Sequence, residues 1–118
     1  MQIGTDITVV SRIENSINKF GDKFLDKFLT KEEQNISKRV ESIAGYWAAK
    51  EAVAKALGCG IGAELGFHDI IIYKDKKNAP HFKLSNKAQK QHNIKSSSLS
   101  IAHDGGFAIA VVVILYNR

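Results

Sequence analysis

RVESIAGYWAAKEAVAKALGCGIG, Arg39–Gly62, reads as one long helix that ends in a glycine-punctuated loop. At 100° per residue, Val40, Ile43, Trp47, Val53, Ala54 and Leu57 form a broad apolar face. Lys50 and Glu51 fall inside that face, and the opposite face carries Ala48, Ala49, Ala52 and Ala56 where charges would be usual. A helix that is apolar or small nearly all round is buried or packed on two sides. Charges in such a helix are costly unless they are paired or bound to an ion. Two accounts of Glu51 follow. One is an i,i+4 ion pair with Lys55 at the edge of the packing surface. The other is a carboxylate reserved for a ligand.

The rest of the composition bounds the answer. A chain of 118 residues is the size of one domain, here taken as 1–118, with a core too modest to enclose a deep pocket alone. A hydrophobic fraction of 44% and a single proline describe a folded chain, not a disordered one. The run AIAVVVIL is too short to cross a membrane, and MQIGTDITVV lacks the basic start of a signal peptide. One cysteine, Cys59, excludes an internal disulfide framework and fits a reducing cytoplasm. Seventeen Lys and Arg against twelve Asp and Glu give a net charge of +5, which favours an anionic partner. No aromatic-rich RNA-binding motif, zinc-spaced Cys/His cluster, Walker-type loop or GxSxG elbow accompanies the charge.

Working outward towards the N-terminus, Ile3–Val10 alternates as a strand, with Ile3, Thr5, Ile7 and Val9 on one face and Gly4, Asp6, Thr8 and Val10 on the other. Asp6 mid-strand is either a solvated edge residue or a metal ligand on a rigid element. Ser11, with Glu14 three residues on, is expected to cap a helix through Phe20. A second helix spans Asp22–Leu29, and Thr30 with Glu33 makes a capping box that opens a third towards Ile36. Arg12, Lys19, Lys23 and Lys27 make this part a basic face, either solvated or suited to an acidic partner. Beyond the long helix come strands at Ile70–Tyr73 and from Pro80, then a helix capped by Ser85. Two further strands, Ser97–Ala102 and Phe107–Tyr116, are joined through His103-Asp104-Gly105-Gly106, a hairpin turn.

A carboxylate on a strand and another on a buried helix, with lysines beside it, form a phosphate site in outline. Mg²⁺ is typically held by one or two carboxylates together with phosphate oxygens and waters. Lysines there neutralise the charge that builds on a leaving phosphate. IGTDITVVSRIE (Ile3–Glu14), FLTKEE (Phe28–Glu33), AAKEAVAKALGCGIG (Ala48–Gly62) and SLSIAHDGGFAIAVVVI (Ser98–Ile114) together resemble the holo-acyl-carrier-protein synthases, the small bacterial 4′-phosphopantetheinyl transferases. The likeness covers nearly the whole chain in order and spacing.

The resemblance implies an α+β fold, a long central helix packed on a small, mainly antiparallel sheet, and a homotrimer with sites between protomers. It implies transfer of phosphopantetheine from coenzyme A to a serine of apo acyl carrier protein in fatty acid biosynthesis, releasing adenosine 3′,5′-bisphosphate. Asp6 and Glu51 correspond to the family's Mg²⁺ ligands, for which Mn²⁺ is a chemically compatible substitute. Lys55 corresponds to the lysine beside the pyrophosphate, so the catalytic set is Lys55, Glu51 and Asp6. Lys50, Lys55, Gly60, Gly62 and His103 are the expected coenzyme A contacts, and Arg12, Lys23 and Lys27 the carrier-protein contacts. The general base is open between a metal-bound water and a carboxylate. The trimer would also account for the alanine face, if a neighbouring chain covers it. No nucleic acid or membrane partner is expected. Tyr46 departs from the family by standing where many relatives carry arginine, Cys59 where a small polar residue is common, and Asn78-Ala79-Pro80 replaces a Gly-Lys-Pro turn. The rival readings are a basic binding module without chemistry and a purely structural trimer. The first leaves Glu51 without a purpose, and the second leaves the lysines without one.

Overall fold

A computed structural model describes residues 1–117. In chain order the elements are β1 (Gln2–Val9), α1 (Val10–Phe20), α2 (Asp22–Phe28), α3 (Lys31–Ile36), α4 (Val40–Ala56), a 3-10 turn at Phe67–Asp69, β2 (Ile70–Lys74), β3 (Pro80–Leu84), α5 (Asn86–His92), β4 (Ile94–Asp104) and β5 (Phe107–Tyr116). This is the expected α+β arrangement. Strands β1, β5 and β4 form an antiparallel sheet in that order, and β2 pairs with β3 in a separate hairpin. Helix α4 crosses one face of the larger sheet and packs against all three of its strands.

The alternation along β1 determines what α4 meets. Asp6 pairs with Ala110 and Thr8 with Ala108, so Gly4, Asp6 and Thr8 share a face with Ala108, Ala110, Val112 and Ile114. That face turns inward, although it holds Asp6 and Thr8 where the other face offers Ile3 and Ile7. A Cβ on Gly4 would lie 2.0 Å from the carbonyl oxygen of Ala52 and 2.9 Å from the amide of Ala56. Glycine there lets the strand lie directly on the helix, and the small Ala48, Ala49, Ala52 and Ala56 present no bulk against it. The alanine face is therefore covered by the chain's own core. This corrects the expectation that a neighbouring protomer was needed to bury it.

The outward face of the same sheet is the unusual one. Ile3 and Ile7 are 65% and 63% exposed, and Phe107 and Ile109 beside them are 46% and 41% exposed. An antiparallel sheet with one solvated face ordinarily turns polar residues outward.

The helix starts divide in two. Thr30 behaves as read: its hydroxyl accepts from the amide of Glu33, while Glu33 accepts from the amide of Thr30. Ser85 likewise caps α5 through the amide of Ala88. Ser11 caps nothing, because α1 begins one residue earlier, at Val10, with Val9 in the capping position. The amide of Val10 instead donates to the carbonyl of Gly106, so the β4–β5 turn serves the start of this helix.

Candidate active site

Asp6 is aimed at α4 by the two-residue period that begins at Gly4, and it is held from both sides. Its Oδ2 accepts from the Thr8 hydroxyl at 2.9 Å, and its Oδ1 lies 3.1 Å from Lys55 Nζ. Lys55 also donates to the carbonyl of Thr5 at 3.1 Å. Of the two accounts of Glu51, the i,i+4 pair is thus not taken: the ion pair of Lys55 is with Asp6, and Glu51 stands without a hydrogen-bonding side chain among the described residues. Burial and the neighbouring Asp6 charge push the Glu51 carboxyl up, while Lys55 offsets part of that rise. Asp6 and Glu51 line one cleft of about 360 Å³ with Thr8, Arg12, Ser16, Phe24 and Trp47.

Two carboxylates on one cleft, one with no partner, are a hard-oxygen donor set of the kind Mg²⁺ takes when waters and phosphates complete its shell. Among the described residues no cluster of three or more His, Cys, Asp or Glu side chains forms a full protein cage. The Lys55 ammonium already places positive charge against Asp6, as a cation there would.

Lys50 is where the structure departs most from the expected site. It is 0% exposed, and its ammonium donates to Phe28 O at 2.6 Å, Glu33 Oε1 at 2.9 Å and Phe67 O at 3.1 Å. All three ammonium protons have acceptors inside the protomer, so Lys50 does not face a phosphate. The other Glu33 oxygen accepts from the amide of Ile72 at 2.8 Å. Burial lowers the pKa of Lys50 and the Glu33 charge raises it.

The remaining expected contacts are dispersed. Arg12 lines the Asp6–Glu51 cleft itself, and Lys23 and Lys27 line an adjoining hollow that shares Ser16 and Phe24 with it. His103 is elsewhere, near the start of α4, in a smaller cleft with Glu41, Ser42, Tyr46, Lys74 and Asn78. Gly60 and Gly62 lie past the other end of α4, where Gly60 has a φ of +66° and open space around its Cα. The helix between them is 17 residues long, about 26 Å at the usual rise. Tyr46, at the arginine position, is buried with its hydroxyl unpaired, and burial followed by the Glu33 charge pushes its phenol up.

Comparison with known proteins decides the family. The pattern defining the 4′-phosphopantetheinyl transferase superfamily matches residues 2–112. The chain belongs to this superfamily. It is 59% identical over 114 residues to the holo-[acyl-carrier-protein] synthase of Sulfurovum sp., covering 97% of this chain and 96% of that protein. The Campylobacter lari holo-[acyl-carrier-protein] synthase is also 59% identical, over 98% of this chain and 99% of its own length. Among solved structures, the Helicobacter pylori holo-[acyl-carrier-protein] synthase in complex with coenzyme A superposes with a TM-score of 0.93 at 51% identity, covering 96% of this chain and 99% of that one.

Within a phosphopantetheinyl transferase, several side chains at the site were not singled out from the sequence. Thr8 orients Asp6, and Phe24 and Trp47 stack at 5.8 Å to wall the cleft. Lys74 and Asn78 join His103. For Thr8 the sequence held a signal, since the two-residue period puts it on the same face of the strand as Asp6. The others come together only through tertiary packing, which leaves no local pattern.

Proposed function

We propose that this transferase moves the 4′-phosphopantetheine group of coenzyme A to a serine hydroxyl of apo acyl carrier protein, with Mg²⁺ as its metal and Mn²⁺ as a substitute. The observation that carries the reading is that Asp6 and Glu51 line one cleft, with Lys55 paired to Asp6 and a basic face alongside. Asp6 and Glu51 would hold the divalent cation, which supplies charge neutralisation to the pyrophosphate. The serine hydroxyl gives up its proton to a general base at the site as its oxygen bonds to the phosphorus bearing the pantetheine arm, and the P–O bond to adenosine 3′,5′-bisphosphate breaks, its electron pair leaving with the bisphosphate. Lys55, whose side chain is half exposed, is placed to reach the leaving phosphate and stabilise its charge. Arg12, Lys23 and Lys27 dock the acidic carrier, and the net charge of +5 steers it.

The dispersion of His103 from Asp6 supports a site assembled between protomers of a homotrimer, and the outward apolar sheet face supplies a surface for that association. In this reading His103, Gly60 and Gly62 meet coenzyme A together only when two chains are side by side. We place the reaction in the cytoplasm, in fatty acid biosynthesis. No helix of the described residues is long and apolar enough to cross a membrane.

The test is to incubate the protein with apo acyl carrier protein, coenzyme A and Mg²⁺ and weigh the carrier intact. A gain of one phosphopantetheine, abolished by EDTA, is the expected result. No gain with several apo carriers and either metal overturns the reading.

A further inference from the structure

The buried Lys50–Glu33 pair plays no part in the proposed chemistry, yet it joins the elements that chemistry needs. Lys50 directly precedes Glu51 on α4, and its shortest hydrogen bond, at 2.6 Å, goes to Phe28, the last residue of α2. Helix α2 carries Lys23 and Lys27, and its Phe24 lines the Asp6–Glu51 cleft. Glu33 accepts the amide of Ile72, so β2 closes the clasp from the other side. The rings of Phe24, Phe28, Trp47 and Phe67 hold α2 close to α4 as well. Apolar contact of that kind tolerates small shifts, whereas a fully satisfied polar network specifies direction and register.

We infer that Lys50 and Glu33 are positioning residues that set α2, and with it the carrier-docking face, at a fixed distance from Glu51. This rests on the reading of Arg12, Lys23 and Lys27 as carrier contacts. A buried ion pair adds little net stability over a well-packed apolar pair, and its best-attested use is to specify one arrangement. Loosening the clasp would let α2 shift against the metal ligands while the core remained closed. The carrier's serine would then arrive misplaced, although coenzyme A would find its own contacts unchanged.

The experiment is steady-state transfer by the double variant Glu33→Gln/Lys50→Met, varying carrier and coenzyme A separately. Removing both charges together avoids leaving one buried without its partner. The KM for apo carrier is expected to rise about tenfold, with the KM for coenzyme A at its wild-type value. A pair that only holds the fold together would lower kcat by the inactive fraction and leave both KM values alone, which overturns the inference. An equal rise in both KM values overturns it as well. If that double variant does not fold, Glu33→Gln/Lys50→Gln, which is also uncharged and keeps a polar group at both positions, is read by the same split. A wild-type chain that modifies no carrier removes the carrier reading first, and this inference with it.

Discussion

At the scale of the residue, the site is a contest over charge. Asp6 has two polar neighbours, Thr8 and Lys55, while Glu51 has burial and another carboxylate against it. A carboxyl whose folded pKa lies above its unfolded value destabilises the native state wherever it is ionised, and that cost disappears as pH falls and the proton returns. Glu51 is therefore a residue the fold keeps at its own expense, as functional sites often require. Glu51→Gln removes the charge and preserves the shape. In metal-free buffer near neutral pH its Tm is expected to equal or exceed the wild-type value, while phosphopantetheine transfer falls at least about a hundredfold. A lower Tm by calorimetry would mean that Glu51 stabilises the fold, and near-normal transfer would exclude it as a required ligand. Lys50 is the opposite case one position earlier, since every bond it makes is internal. Periodicity put Lys50 and Glu51 in the same apolar face and could not separate their roles. The partners of Lys50 lie 17 to 22 residues away in the chain, in segments whose approach no local pattern records.

At the scale of the element, the decisive contact is β1 lying on α4. Strand, helix and hairpin positions were legible because each has its own period and turn chemistry, as at Thr30, Ser85 and Asp104-Gly105. Which face of β1 turns inward was not legible. Hydrophobicity alone would bury Ile3 and Ile7, and the structure buries Gly4 and Thr8 and half-buries Asp6 instead. The reason is room: only a face without bulk fits against a helix surfaced with alanine, and the same face then delivers Asp6 to Glu51 and Lys55. Gly4 thus serves the chemistry by position. Gly4→Ala would put a methyl group 2.0 Å from the Ala52 carbonyl, a backbone atom that cannot rotate away. The expected cost is about 3 kcal/mol or more, read by urea unfolding, because strand and helix must separate to admit the group. Asp6 would be carried away from Lys55 at the same time, so transfer in the folded fraction should fall too. An unchanged unfolding midpoint would show that the two elements are less closely pressed than this contact implies.

At the scale of the whole molecule, the sheet has one face too many. Helix α4 packs on the inner face, and the outer face repeats Ile3, Thr5 and Ile7 opposite Val113, Val111 and Ile109, with Phe107 at the end. A solitary protomer would expose that apolar patch to water, at a cost of roughly 25 cal/mol for each Å² left uncovered. Self-association would remove the cost, and the proposed trimer would bring one chain's His103 cleft to another's Asp6 cleft, two features that a single chain keeps apart. Substituting both Ile7→Glu and Ile109→Glu places two like charges on directly paired outward positions without touching the inner face. The variant is expected to run as a single protomer by sedimentation or light scattering, with its far-UV spectrum preserved, while the proposed assembly predicts a trimer for the wild type. Transfer should collapse with assembly even though Asp6, Glu51 and Lys55 are intact in every chain. A monomeric variant that remained fully active would mean that one protomer holds the whole site, and the two clefts would then have to serve separate ligands.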